Sequence, residues 1–134
     1  MKAAAREQAV RTVFERLSAR DFHAVAEMLH EDVEFELAYA PAGLEMPVRG
    51  RVAMQALLTN VIGAMFEPFR IEVTAAYPGE DPDVFVAEYS SDGVVKHNGR
   101  SYVNRYVGVF RFADERIVLW REFHNPEAAT AALA

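Results

Sequence analysis

GRSYVNRYVGVF at residues 99–110 and VLWREFHN at residues 118–125 are the two stretches that decide the fold of this chain. Both alternate between two chemically unlike faces, as β-strands do. On one shared face fall Tyr102, Asn104 and Tyr106, with Trp120, Glu122 and His124 on the partner strand. The pattern therefore predicts two neighbouring strands with an aromatic face that also carries polar groups.

That face has two interpretations. An aromatic surface holding an amide, a carboxylate and an imidazole suits a small-molecule pocket. The same residue types also occur on a half-buried sheet whose polar members face water. The clustering of polar groups among large aromatic rings favours the pocket.

Length and composition set the class of protein. The 134 residues are the size of one domain, expected over residues 1–134, and a hydrophobic content of 51% is enough for a core. Fourteen basic against 20 acidic residues give a net charge of −6 without a basic stripe, so we expect no nucleic-acid partner. Without a long apolar run or a signal-peptide pattern, the sequence predicts a cytoplasmic protein with no membrane partner.

The histidines and the missing cysteines bear on metal binding. The chain has no cysteine, which excludes disulfides, thiolate nucleophiles and Cys-based zinc sites. His23 and His30 stand seven positions apart, which does not match the i, i+4 spacing of helical metal ligands, and His97 falls in a loop. We therefore expect no metal and no cofactor.

Hydrophobic spacing predicts helices first and strands later. Three helices are expected. One covers 3–19, a second begins after the capping residue Asp21, and a third covers 51–66. Alternation predicts strands over 32–39, 69–77, 83–91, 100–112 and 116–124. Turns are expected at Asp92-Gly93, Asn98-Gly99 and Asp114-Glu115, a mobile loop at 41–47, and a short helix in the Ala-rich tail from Glu127.

The order α-α-β-α-β-β-β-β predicts the α+β class. One curved antiparallel sheet wrapped around three helices would accommodate this order. Such a cone leaves a hollow at its wide end, and the residues facing the hollow would form the pocket.

The sequence also resembles a known family. Gly50-Arg51 before the third helix, Gly99-Arg100-Ser101-Tyr102, Gly108-Val109-Phe110 and Trp120-Arg121-Glu122-Phe123 resemble the NTF2-like (cystatin-like) superfamily over essentially the whole chain. Within it, they are similar to the SnoaL-like group, which includes polyketide cyclases, limonene-epoxide hydrolases and phenazine-biosynthesis proteins A and B. The ending Arg121-Glu122-Phe123-His124-Asn125 is similar to that of the phenazine proteins.

The resemblance implies an acid/base role for Glu122 and also shows departures. The Arg-x-Asp pair of the epoxide hydrolases would fall in Glu88-Tyr89-Ser90-Ser91, where it is missing. The ketosteroid-isomerase base falls near Leu37 and its tyrosine near Val13 or Phe14, so both are replaced. The third-helix histidine of the phenazine proteins falls near Leu57. These departures argue against each relative's own mechanism.

The expected site follows from the face and the resemblance. Glu122 and His124 are the catalytic candidates, with burial raising the proton affinity of the carboxylate. The expected pocket residues are Trp120, Tyr102, Asn104, Tyr106, Glu88, Tyr39, Leu57, Leu58 and Val61. Glu88 faces inward in only one of two registers, since Phe85, Ala87 and Tyr89 form the other face of its strand.

Three functions remain open at this level. The first is a cofactor-free enzyme of secondary metabolism that isomerises, cyclises or hydrolyses an apolar ring compound, polycyclic or terpenoid-like. The second is a ligand-binding or accessory protein without chemistry, and the third is a pure dimerisation module. Val103, Val107, Val109, Leu119 and Phe123 make the outer face of the last strands apolar, which predicts a homodimer through that face.

Overall fold

The computed structural model describes residues 2–134, which form four α-helices, one π-helical turn and one six-stranded sheet. The helices are α1 (Ala3–Ser18), α2 (Phe22–Glu27), α3 (Arg51–Leu58) and α4 (Pro126–Leu133), and the π-helical turn is Thr59–Gly63. The strands are β1 (Leu29–Leu37), β2 (Val48–Arg49), β3 (Phe66–Pro78), β4 (Val84–Val95), β5 (Ser101–Ala113) and β6 (Arg116–His124). The predicted α+β cone is confirmed, and its elements follow the predicted order with the two-residue strand β2 added before α3.

The sheet order is β2-β1-β6-β5-β4-β3, so β6 lies between β1 and β5. All pairs are antiparallel except β1 with β6, which run parallel. The expectation of a purely antiparallel sheet was therefore wrong in one pair. A parallel pair needs a long crossover, and here most of the chain lies between the two strands.

The core forms where the helices cover the inner face of the sheet. In α1, the residues Val10, Val13, Phe14 and Leu17 follow the predicted helical spacing and are all buried. The Phe14 ring lies 4.3 Å from Tyr89 and 5.7 Å from Trp120, between ring centroids. The helix thus packs directly on the aromatic face of β4 and β6.

Capping residues fix several element ends. Asp21 accepts a hydrogen bond from the Ala24 N–H at the start of α2, and Asn125 accepts one from the Glu127 N–H at the start of α4. Asp114 and Glu115 both have positive φ angles, as the tight turn between β5 and β6 requires. The predicted tail helix and this turn are confirmed.

Several boundaries differ from the prediction: β1 covers Leu29–Leu37 rather than 32–39, and β4 covers Val84–Val95 rather than 83–91. The helix α3 ends at Leu58 rather than at residue 66, and the chain continues as the π-helical turn. At the end of that turn, Arg20 donates hydrogen bonds to the carbonyl oxygens of Gly63 (2.7 Å) and Phe66 (2.8 Å). These bonds satisfy backbone acceptors where β3 begins, three residues earlier than expected.

Asp92-Gly93 is not a turn, because both residues lie inside β4 and pair with Val103 and Tyr102 of β5. A Cβ at Gly93 would lie 2.8 Å from the carbonyl oxygen of Pro68. The glycine therefore serves a close approach of two strands rather than a reversal of the chain. The reversal comes later, around Asn98-Gly99.

Candidate functional site

A cavity of about 110 Å³ lies between the inner face of the sheet and α3 with the π-helical turn. It is lined by Phe14, Leu17, Phe35, Leu37, Leu44, Met54, Leu57, Leu58, Val61, Ile62, Phe69, Ile71, Tyr106, Trp120 and Glu122. Twelve of these side chains are hydrocarbon or thioether groups, and only the last three carry hydrogen-bonding groups. The cavity therefore offers an apolar body and few polar contacts, as ligand pockets do.

The carboxyl group of Glu122 is held by one tyrosine. The Tyr89 hydroxyl donates a 2.5 Å hydrogen bond to Glu122 Oε1, and the Tyr89 oxygen accepts a 3.3 Å hydrogen bond from Trp120 Nε1. Glu122 Oε2 receives no hydrogen bond from the described residues, and it is not among their buried polar atoms that lack a partner. Since Oε1 already accepts the Tyr89 hydroxyl, Oε2 is the oxygen that can take up a proton.

Burial changes the acidity of this group. Removal from water raises the pKa of Glu122 from 4.5 to about 7, while the Tyr89 hydrogen bond and the polar N–H of nearby Trp120 act in the opposite direction. Burial and the facing carboxylate raise the pKa of Tyr89 well above its usual 10. Tyr89 therefore stays a hydrogen-bond donor at neutral pH, whereas Glu122 exchanges a proton there.

The contact between Tyr89 and Glu122 depends on a glycine. Gly108 of β5 lies between the two partners, paired with Ala87 on one side and Glu122 on the other. A Cβ at Gly108 would lie 2.7 Å from the Tyr89 hydroxyl oxygen and 2.8 Å from the Tyr89 ring. The missing side chain lets the tyrosine cross β5 and reach the carboxyl group on β6.

A second polar network lies beside the first. Asn104 Oδ1 accepts hydrogen bonds from the backbone N–H groups of Arg105 and Asn125. The other end of the amide, Nδ2, donates a 2.8 Å hydrogen bond to the Tyr102 hydroxyl oxygen. Tyr102 and Tyr106 hydroxyl oxygens are 3.1 Å apart, and Tyr106 is 2.7 Å from Ser91 Oγ. Burial raises the pKa of both tyrosines, which keeps them protonated.

The structure brings together most of the expected site and displaces part of it. Trp120, Tyr106, Leu57, Leu58 and Val61 line the cavity beside Glu122. Tyr102 and Asn104 are buried on the same inner face but stand behind Tyr106 in the hydroxyl network. They support a lining residue rather than line the cavity themselves.

Three expected positions need correction. Glu88 is on the outer face of β4, where it accepts a hydrogen bond from Tyr77, because Phe85, Ala87 and Tyr89 fill the core. Tyr39 follows β1 and is 58% exposed. His124 shares the inner face but makes no hydrogen bond to Glu122 among the described residues, and its ring stacks on Tyr106. Burial lowers its pKa, which favours the neutral imidazole.

Sequence reasoning missed the functional weight of Tyr89, Gly108 and Ser91. One signal for Tyr89 was available, since the Phe85, Ala87 and Tyr89 face of its strand is the more apolar one. Among residues 2–134 there is no group of three or more His, Asp or Glu side chains arranged to hold a metal ion. No helix in the same residues is long and apolar enough to span a membrane.

Comparisons with known proteins agree with this architecture. Residues 10–120 match the family model of the SnoaL-like domain. An uncharacterised PhzA/B-like protein of Pseudomonas aeruginosa is 30% identical over 75% of this chain and 70% of its own length. A solved structure of a Bacillus subtilis protein proposed to be an isomerase has a TM-score of 0.86 at 25% identity, covering 93% of this chain and 89% of that one. An LEH-like epoxide hydrolase of Mycobacterium tuberculosis has a TM-score of 0.73 at 22% identity, covering 98% and 90%.

The raised pKa of Glu122 predicts a pH-dependent stability of the fold. The folded protein binds the proton more tightly than the unfolded chain, so the free energy of unfolding should fall as pH rises from 4.5 to about 7. At about 1.4 kcal/mol per pKa unit, the loss is roughly 3 kcal/mol. Urea unfolding of wild type and Glu122→Gln across this range should show the loss only in wild type. The outer-face variant Glu88→Gln should keep the wild-type slope, and a wild-type slope in Glu122→Gln would contradict the assignment.

Gly108→Ala should separate Tyr89 from Glu122. Loss of this donor should raise the pKa of Glu122 further, and the overpacking should lower stability by about 1–3 kcal/mol. A ¹³C NMR titration of the glutamate carboxyl carbons measures the first effect, and Tyr89→Phe should shift it in the same direction. Val107→Ala changes the opposite face of the same strand and is the matched control. A folded Gly108→Ala variant with an unchanged Glu122 titration would refute the role of this glycine.

Proposed function

The chain belongs to the SnoaL-like family and has the NTF2-like fold, and from that premise we propose that it is a cofactor-free general acid/base enzyme acting on a small apolar ligand. The observation that carries the proposal is a carboxyl group with a pKa of about 7 in the wall of an apolar cavity. At neutral pH both protonation states of such a group are populated, which suits proton transfer in either direction.

The two oxygens of Glu122 have separate tasks in this proposal. Tyr89 holds Oε1 and thereby fixes the orientation of the carboxyl plane. Oε2 then removes a proton from the bound ligand or returns one to it. The apolar walls exclude water, which strengthens the interaction of the carboxylate with the reacting group.

The reaction class is proposed as isomerisation, cyclisation or hydrolysis in secondary metabolism. The names of relatives in the same fold include a polyketide cyclase, a phenazine-biosynthesis protein and an epoxide hydrolase. The missing Arg-x-Asp pair at residues 86–91 argues against the mechanism of the epoxide hydrolases and favours the other two classes. It also motivates the second candidate, a ligand-binding or accessory protein that performs no chemistry.

Activity should depend on Glu122. We would incubate the protein in D₂O with a panel of cyclic ketones, enones and epoxides and follow product mass. Deuterium incorporation reports proton transfer, added water reports hydrolysis, and lost water reports condensing cyclisation. Where wild type converts a probe, Glu122→Gln should lower kcat by at least about 100-fold.

Glu88→Gln is the matched control and should convert the probe at the wild-type rate, because its carboxyl group lies outside the cavity. A Glu122→Gln variant with normal turnover would contradict the catalytic assignment. Ligand binding without conversion of any probe would favour the accessory protein.

We also propose that the protein is a homodimer through the outer face of the sheet and that it acts in the cytoplasm. Val103 is 59% exposed on that face, and Val107 is exposed beside it. On β6, Phe123 pairs with Val107 and Leu119 pairs with Arg111, and both Phe123 and Leu119 are half-buried. A second copy of the same face would remove these apolar side chains from water.

Light scattering tests the dimer and should give twice the chain mass of 15.0 kDa. Leu119→Asp should produce monomers, because an unpaired charge in the interface costs about 3–5 kcal/mol. Leu119→Met preserves an apolar side chain and should remain dimeric. A wild-type mass near that of one chain across a wide concentration range would exclude this interface.

A further inference from the structure

The C-terminal helix α4 is held at its end by side chains from the turn between β4 and β5. Asn98 Nδ2 donates hydrogen bonds to the main-chain oxygens of Ala132 (2.8 Å) and Ala134 (3.2 Å). Arg100 Nη1 donates a 3.0 Å hydrogen bond to the main-chain oxygen of Ala131. The last carbonyl groups of a helix have no partner inside the helix. The turn therefore caps the end of α4 from another part of the chain.

Apolar packing adds little to the attachment of α4. Ala132 is the buried residue of this helix, and Ala129 and Leu133 are partly buried against the core. Two methyl groups and one leucine side chain bury a small apolar area, so the polar contacts at the helix end carry much of the attachment. The helix α4 therefore opens locally at a lower free-energy cost than the strands beneath it.

The asparagine that caps α4 is also the one asparagine of the chain that precedes a glycine. The other three asparagines, Asn60, Asn104 and Asn125, precede valine, arginine and proline. An asparagine side chain is converted when the main-chain nitrogen of the next residue attacks its Cγ atom. Glycine hinders this attack least, because it has no Cβ. Asn98 is therefore the asparagine of this chain that is chemically most open to the reaction.

The hydrogen bonds of the turn both favour and oppose this attack. Asn98 Oδ1 accepts a 2.9 Å hydrogen bond from the Arg100 N–H, which folds the side-chain amide back over the Gly99 peptide unit and polarises the carbonyl group of the amide. On the other side, the Gly99 N–H donates a 2.9 Å hydrogen bond to the Val95 carbonyl oxygen. The Nδ2 group, which has to leave as ammonia, is bound to the end of α4. The docked helix thus holds the leaving group in place.

From these contacts we propose that Asn98 is a site of spontaneous deamidation that is controlled by α4 and that releases the end of α4 once it has occurred. The Gly99 nitrogen forms a bond to Asn98 Cγ, the bond from Cγ to Nδ2 breaks, and ammonia leaves with the hydrogen of the attacking nitrogen. Water then opens the cyclic imide to aspartate or isoaspartate. Water is the only co-reactant, and no atom changes its oxidation state.

The product of this reaction opposes the docking of α4. Its carboxylate has no hydrogen to donate to the Ala132 oxygen, and it brings negative charge to the negative end of the helix dipole. The first turn of α4 stays attached, because Asn104 forms hydrogen bonds with both the carbonyl oxygen and the N–H of Asn125. The conversion therefore frees the C-terminal part of the helix. It involves neither Glu122 nor the cavity, so the inference is independent of the proposed function.

Peptide mass spectrometry of the full chain, kept in mildly alkaline buffer, tests the site and its control. Deamidation would be followed at all four asparagines, in the folded protein and in urea. Asn98 should be the principal site in both states, and it should react at least about tenfold more slowly in the folded protein, because α4 has to open first. Equal rates in the two states would overturn the control by α4. Conversion chiefly at another asparagine would overturn the site.

A matched pair of helix variants tests the link to docking. Ala132→Leu overpacks the buried contact of α4, whereas Ala131→Leu makes the same change at an exposed neighbour. In Ala132→Leu, both the hydrogen exchange of the α4 amides and the deamidation of Asn98 should be about tenfold faster. Both rates should be unchanged in Ala131→Leu. Unchanged exchange in Ala132→Leu would contradict the weak attachment of α4, and faster exchange without faster deamidation would overturn the proposal.

The release of α4 is tested with the product itself. Asn98→Asp should accelerate hydrogen exchange of the α4 amides about tenfold or more. Asn98→Ala removes the donor without adding a charge and should accelerate the exchange less. Wild-type exchange in Asn98→Asp would refute the release of the helix.

Discussion

The hydrogen bond from Tyr89 to Glu122 is the interaction around which the inner face is organised. A carboxyl group under an apolar helical layer loses its hydration, and in this structure a single tyrosine replaces part of it. That arrangement requires Trp120 to donate to the tyrosine oxygen and Gly108 to leave a path across β5. It also requires α1 to cover the tyrosine with Phe14. The hydrogen bond between Tyr89 and Glu122 therefore restricts which residues can stand at positions 14, 108 and 120.

The same frame supports many reactions because its chemistry depends on a few inward positions. A curved sheet closed by helices supplies a cavity whatever residues line it, so the fold alone does not determine the reaction. In this chain the inward positions carry one carboxylate with a shifted pKa and one tyrosine-rich hydroxyl network. The carboxylate lies on β6 and the hydroxyl network on β4 and β5, so the two polar groups belong to neighbouring strands.

The sequence carried much of this information in the last two long strands. Strict alternation over residues 99–110 and 118–125 was enough to assign Trp120, Glu122, Tyr106 and Asn104 to one face. The position of Glu88 was open in the sequence, because both faces of its strand carry some apolar residues and only the burial of Phe85, Ala87 and Tyr89 in the core decides it. Asp92-Gly93 looks like a turn signal in the sequence, whereas Gly108 stands there only as one residue of a strand and of the family resemblance. In the structure both permit close approaches between elements, which depend on neighbours distant in the chain.

The position of β6 also bears on how the protein is made. This strand follows the other five strands along the chain, yet it lies inside the sheet, between β1 and β5. A growing chain therefore has α1 to α3 and the other five strands before it has the strand that joins them. Long-range pairing of this kind slows folding, because loop closure must precede the contacts that reward it. The carboxyl group of Glu122 is thus carried into the cavity wall by the same strand that joins the two parts of the sheet.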